Sequence, residues 1–151
     1  MKKKAIFPGS FDPITIGHIE IVEKSLMIFN EIIIAIGTNP EKKYMFTESQ
    51  RLNFIIKYFK NKKNVKVVAY DGLTFKLCKK LDVKFIVRGV RNILDFEYEK
   101  NMAEFNRNLG QIETIIITSS NKNSHISSSF VKELIKNNSD FENLVPNTVK
   151  I

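Results

Sequence analysis

The sequence predicts an α/β fold: one doubly wound sheet of five parallel strands with helices on both faces. Three observations predict it. Short apolar runs alternate with helix-period segments from end to end. The run Glu31–Gly37 (EIIIAIG) is apolar almost throughout, as a strand buried on both faces must be. The 151 residues hold no linker, repeat or low-complexity stretch, so residues 1–151 are read as one domain.

The elements follow in order. A first strand is predicted at Lys4–Phe7, stopped by Pro8-Gly9. His18–Phe29 is a helix, with Ile19, Val22, Leu26 and Phe29 on one face. Glu31–Gly37 is the second strand. Thr47 and Gln50 form a capping-box pattern. It opens a helix through Phe59, with Leu52, Ile55, Ile56 and Phe59 expected inside. Asn64–Ala69 is the third strand, Leu73–Leu81 a short helix and Lys84–Val87 the fourth strand. Asp95–Leu109 is a longer helix whose stripe, Phe96, Met102, Phe105 and Leu109, is expected to face the core. Glu113–Thr118 is the fifth strand and Ser127–Lys136 a helix with a Ser-rich start. Ser139 with Glu142 marks one more short helix.

Composition narrows the function classes. No apolar run approaches the roughly 18–20 residues that span a bilayer, and the longest, Ile32–Ile36, is strand-sized. The apolar stretch after the N-terminal lysines ends at Pro8, too soon for a secretion signal. A single cysteine makes no internal disulfide or metal pair. These features read as cytoplasmic, and Cys78 reads as a small buried apolar residue. The net charge of +8 comes mostly from dispersed lysine, 20 Lys against 4 Arg. Two of those four, Arg88 and Arg91, fall three apart after a predicted strand. Arginine's rigid fork suits phosphate in a way lysine cannot copy.

In such sheets, ligands bind outside the carboxyl ends of the strands. The connections there carry the chemistry-bearing residues. Ser10, Phe11, Gly17 and His18 follow strand one, and Lys42 follows strand two. Thr74 follows strand three, Arg88–Arg91 follow strand four, and Asn123–Ser129 follow strand five. The return connections, such as Lys60–Lys63, hold only turn residues and solvating charge. Taken singly, each candidate has an ordinary structural role as an N-cap, a core histidine or a solvated turn. Their gathering on one edge points to a site. No P-loop, dinucleotide fingerprint, metal-ligand set or nucleophile elbow is present. What remains is an electrostatic clamp for phosphoryl or nucleotidyl transfer, with helix starts and cations as its parts.

Four strings carry a resemblance: FPGSFDPITIGHIEIV, the Lys42 turn, RGVRNILDFEYE and HISSSFVKEL. The Gly9–Pro13 and Gly17-His18 pattern resembles the first signature of the nucleotidyltransferase superfamily, and Ile126–Ser129 resembles its second. Over about residues 4–145 the chain is similar to the bacterial-type phosphopantetheine adenylyltransferases. That resemblance implies a Rossmann-like sheet and a reaction of ATP with 4′-phosphopantetheine, giving dephospho-coenzyme A and pyrophosphate. It implies Mg²⁺ carried by the nucleotide, with no metal site of the protein's own, and a homohexamer. Carried over by position, His18 would stabilise charge on the α-phosphate. Ser10 would hold phosphate between the substrates, and Lys42 and Arg88 would hold the pantetheine phosphate, with Thr74 along the pantetheine arm. Arg91 and Ser127, Ser128 and Ser129 would grip the β- and γ-phosphates. Phe11, Gly89, Val90, Glu99, Asn123, Ser124, His125 and Ile126 would complete the nucleotide site.

Two other readings compete. One is a sibling nucleotidyltransferase with nicotinamide mononucleotide or glycerol phosphate as acceptor. The other is a basic nucleic-acid-binding domain, which expects cations along one helix or an aromatic sheet face. Here lysines are spread over all segments and the strands are buried, so nucleic acid is not an expected partner, nor is a membrane.

Overall fold

The structure, a computed structural model, describes residues 2–151. In chain order its elements are β1 (Lys4–Gly9), α1 (Ile16–Leu26), β2 (Glu31–Thr38), α2 (Glu48–Phe59), β3 (Val65–Asp71) and α3 (Thr74–Lys80). They continue with β4 (Phe85–Val90), α4 (Ile93–Gly110), β5 (Glu113–Thr118), α5 (Ser128–Lys136) and a short 3₁₀ turn at Glu142–Leu144. The five strands pair parallel in the order β3-β2-β1-β4-β5. The chain winds outward from β1 to β3, crosses back to β4, and winds outward again to β5. Its direction reverses between β1 and β4, which is where such sheets bind ligands.

Strand alternation sorts the core onto the two faces. Ala5, Phe7, Ile32, Ile34, Ile36 and Val87 join Val22 of α1, Ile55 of α2 and Val131 of α5. Ile6, Ile33, Ala35 and Ile86 face the other way, with Cys78 of α3. Both faces are therefore covered, which explains why β2 is apolar at nearly every position. Cys78 is fully buried, and burial pushes its thiol up to about 11. It serves as a small apolar core residue.

Four strands run further than predicted: β2 by one residue to Thr38, β3 by two to Asp71, and β1 and β4 as well. β1 continues through Pro8 and Gly9, in register with Ala35 and Ile36. Proline is tolerated in this central strand because the ladder to β4 has thinned to the single pair Ile6–Ile86. β4 continues through Arg88, Gly89 and Val90, because β5 offers Ile116, Ile117 and Thr118 as partners. Arg88 is thus a strand residue and not part of a following loop. α1 begins at Ile16 rather than His18, with Thr15 as its N-cap.

The expected stripe of α4 is a larger correction. Phe96, Phe105 and Leu109 are 46%, 45% and 49% exposed, and Met102 is exposed too. The helix turns Glu99, Asn106 and Gly110 inward instead. Gly110 lies so close to Phe75 that a Cβ there would meet it at 2.8 Å. Ile56 of α2, also expected inside, is exposed.

Candidate active site

The cleft opens where β1 and β4 part. His18 sits at its centre, on the first turn of α1. The Thr15 backbone N–H donates to His18 Nδ1 at 3.0 Å, and the Thr15 hydroxyl lies 3.1 Å from the same nitrogen. This closes a capping box in which Thr15 Oγ1 accepts from the His18 N–H. With Nδ1 accepting, a neutral ring carries its proton on Nε2, toward the cleft that His18 lines. Burial, and then the Arg88 and Arg91 charges, push the His18 pKa down to about 4. The ring is therefore a neutral Nε2–H donor at pH 7. Phe11 fixes its plane, edge-on at 4.9 Å. Phe11 itself has φ 47°, a left-handed backbone that few aromatic residues adopt.

The cleft has two lobes. One, of about 320 Å³, is lined by Ser10, Phe11, His18, Gly89, Val90, Arg91, Asn123, Ile126 and Ser127–Ser129. The other, of about 330 Å³, is lined by Lys42, Tyr44, Tyr70, Thr74, Tyr98 and Asn106 among others. Pro8, Gly9, Ser10, Arg88 and Glu99 line both, so they form the junction.

At the junction Arg88 is already engaged. Its Nε and one terminal nitrogen donate to the two oxygens of Glu99 at 2.8 and 2.7 Å, and its other terminal nitrogen donates to the Pro8 carbonyl. Five N–H bonds minus these three leave two for a ligand. Glu99 is buried, so the pair sets the direction of the guanidinium. Arg91 is likewise paired, its Nε donating to Asp95 at 3.0 Å. Gly89 between them admits α1: a Cβ there would meet Ile21 at 2.8 Å.

Among family models, the cytidylyltransferase-like model matches residues 6–134. A phosphopantetheine adenylyltransferase from Flavobacterium psychrophilum is 52% identical, over 99% of both chains. One from Flavobacterium johnsoniae is 48% identical, over 99% of this chain and 98% of its own. The chain belongs to the phosphopantetheine adenylyltransferase family. A solved structure described as a nicotinate-nucleotide adenylyltransferase, from Vibrio parahaemolyticus, overlays with TM-score 0.71 at 19% identity. It covers 98% of this chain and 96% of that one, and shows that the fold is shared.

In this member of the family, most of the residues picked from sequence meet in the two lobes. Two do not. Ser124 turns its hydroxyl to the Asn121 carbonyl, and His125 is exposed, and neither lines a lobe. The serines at the start of α5 divide their work. Ser127 caps the helix by accepting from Phe130 N–H, and Ser128 donates to the Pro13 carbonyl at 2.7 Å. Their structural role is real, and all three residues Ser127–Ser129 still line the first lobe. Thr74 shares a 2.8 Å hydrogen bond with the Tyr70 hydroxyl.

Three residues that hold the walls of this cleft together escaped sequence reading. Glu20 accepts from Ser120 N–H at 2.8 Å and from Asn123 Nδ2 at 2.6 Å, and pairs with Lys24 at 2.7 Å. Burial disfavours its charge, but those bonds outweigh it and bring its pKa down to about 2. Buried Asp12 accepts from Met45 N–H and Phe46 N–H, both at 2.9 Å, and so ties the turn after β2 to the loop after β1. Arg51, buried in α2, donates to the Ser10 carbonyl at 2.7 Å. Glu20 stands two residues after His18, the one sequence signal that could have found it.

Proposed function

We propose that the chain joins the adenylyl group of ATP to 4′-phosphopantetheine, giving dephospho-coenzyme A and pyrophosphate. One observation carries this reading: two lobes of about 320 and 330 Å³ meet at Ser10 and Arg88, beside a neutral histidine N–H donor. The names of relatives at 48–52% identity over nearly the whole chain point to the same acceptor.

In this reading the acceptor's phosphate oxygen attacks the α-phosphorus in line, and the bond from that phosphorus to the bridging oxygen breaks. The electron pair leaves on pyrophosphate. The attacking oxygen is already an anion, so no general base is needed. His18 Nε2–H meets the charge that builds on the α-phosphate oxygens, an interaction stronger in the transition state than before it. Arg91 and the start of α5 take the β- and γ-phosphates. Lys42, the two remaining Arg88 N–H bonds and the Ser10 hydroxyl take the acceptor phosphate. Thr74 lies along its arm.

Among the described residues no trio of His, Cys, Asp and Glu is placed to hold a metal. The carboxylates that line the cleft, Glu99 and Asp95, are each paired with an arginine. In this reading magnesium arrives with the nucleotide substrate and would neutralise its phosphates, as the family resemblance implies. Among the described residues no helix is long and apolar enough to cross a membrane, and an ATP-consuming reaction is assigned to the cytoplasm.

The exposed apolar side of α4 supports self-association, and the family resemblance implies a homohexamer. Ile93, Leu94, Phe105 and Leu109 form a surface that other copies would cover. Light scattering should read six copies, and Phe105→Glu should lower that number.

The deciding assay mixes the protein with ATP, Mg²⁺ and 4′-phosphopantetheine and measures dephospho-coenzyme A and pyrophosphate. Nicotinamide mononucleotide and glycerol phosphate serve as rival acceptors. No product with 4′-phosphopantetheine, or more with a rival, overturns the proposal.

A further inference from the structure

Arg51 is the largest fully buried side chain, 1% exposed, yet among the described residues no carboxylate pairs with it. Its Nε meets no hydrogen-bond partner at all. An unpaired buried cation is costly, and an apolar residue of similar volume would serve folding better. The cost points to another use.

The contacts show what that use is. One terminal nitrogen of Arg51 donates to the Ser10 carbonyl at 2.7 Å and reaches the Gly37 carbonyl at 3.4 Å. The guanidinium lies under the Tyr44 ring, 4.0 Å from its centroid. Tyr44 in turn accepts from Asn39 N–H at 3.0 Å, at the start of the turn that carries Lys42. One buried cation thus touches the loop after β1, the end of β2 and the turn after it. Ser10 directly precedes Phe11, whose left-handed backbone needs holding.

We propose that Arg51 is a positioning residue for the acceptor phosphate. It fixes the Ser10 hydroxyl and the Lys42 turn around one point, and its uncompensated charge attracts an anion there. It touches no substrate. This rests on the proposed adenylyl transfer to 4′-phosphopantetheine.

The test measures pyrophosphate release by wild type, Arg51→Met, Arg51→Lys and Tyr44→Leu, varying each substrate at saturation of the other. Isothermal titration gives both dissociation constants, and circular dichroism checks folding. Arg51→Met should raise KM and Kd for 4′-phosphopantetheine roughly tenfold or more, the scale of a lost charged hydrogen bond. KM for ATP should stay within about twofold, which general loosening would not produce. Arg51→Lys keeps the charge but not the fork, and should recover part of the loss. Tyr44→Leu should cost the acceptor about threefold through the lost ring contact.

If a folded Arg51→Met shifts both substrates alike, or neither, the proposal is overturned. Should Arg51→Met not fold, Arg51→Lys decides by the same split, and wild-type constants for it overturn the proposal. Wild type that neither turns over nor binds 4′-phosphopantetheine sinks both this proposal and the function it rests on. Wild-type turnover with no split sinks this one alone.

Discussion

Opposite charges hold the two sides of the cleft. On the side of Arg91 and α5, the anchor is an anion: Glu20 collects N–H donors from Ser120 and Asn123. On the side of Lys42, the anchor is a cation: Arg51 collects the carbonyls of Ser10 and Gly37. The first anchor is balanced, since Lys24 stands 2.7 Å from Glu20. The second has no carboxylate at all among the described residues. Both do the same mechanical work on a loop, but only one leaves net charge behind. The proposed substrates differ in the same sense. A nucleotide arrives with its own divalent cation, while a phosphate monoester arrives bare and needs its countercharge from the protein.

His18 belongs to neither anchor, and its removal gives the largest expected effect. His18→Ala should lower kcat by roughly 10²–10³-fold, the usual cost of one oxyanion donor, with both KM values nearly unchanged. A raised KM with intact kcat would make His18 part of one side and break the comparison. Its protonation tests its burial first and then the field from Arg88 and Arg91. Because its folded pKa is about 4 against 6.5 unfolded, the unfolded chain takes the proton first. Folding should therefore weaken as pH falls from 6.5 toward 4, and not depend on His18 above 6.5. Nitrogen NMR of the ring should show the neutral Nε2–H form at pH 5.5. A ring titrating near 6.5 would mean that neither its burial nor the two arginines act on it.

Glu20→Ala comes next. It frees the loop after β5, so KM for ATP should rise roughly tenfold while KM for the acceptor holds, the mirror image of the Arg51 result. The smallest effect is the most informative about the comparison. Combining Glu20→Ala with Arg51→Met should multiply the single effects to within about twofold, as independent sites do. A larger coupling would mean that the two anchors act through one shared element.

Much of this was legible beforehand, and the reasons are specific. Period-2 and period-3.6 patterns located all five strands and the main helices, because burial on both faces leaves few choices for a run like EIIIAIG. The strand-end rule then gathered Ser10, His18, Lys42, Arg88 and Arg91 without any distance in hand. Periodicity failed on α4 because it reveals that a helix has an apolar face, not what covers that face. Arg51 escaped because a buried arginine in an amphipathic helix looks like a solvated one. Asp12 and Glu20 escaped because their partners lie 33 to 34 and 100 to 103 residues away in the chain. The strand boundary at Pro8 was misplaced because ladder loss on one side alone excuses a missing N–H.

Gly89 has one more consequence. With the Ile21 Cγ1 atom 2.8 Å from where a side chain would begin, the β4 backbone sits directly on the Ile21 side chain of α1. His18 rides on α1, and Arg88 and Arg91 flank Gly89 on and just beyond β4. The tolerance on the histidine-to-arginine alignment is therefore that of a strand backbone resting directly on one side chain of the helix. An absent methyl group is the gauge that sets it.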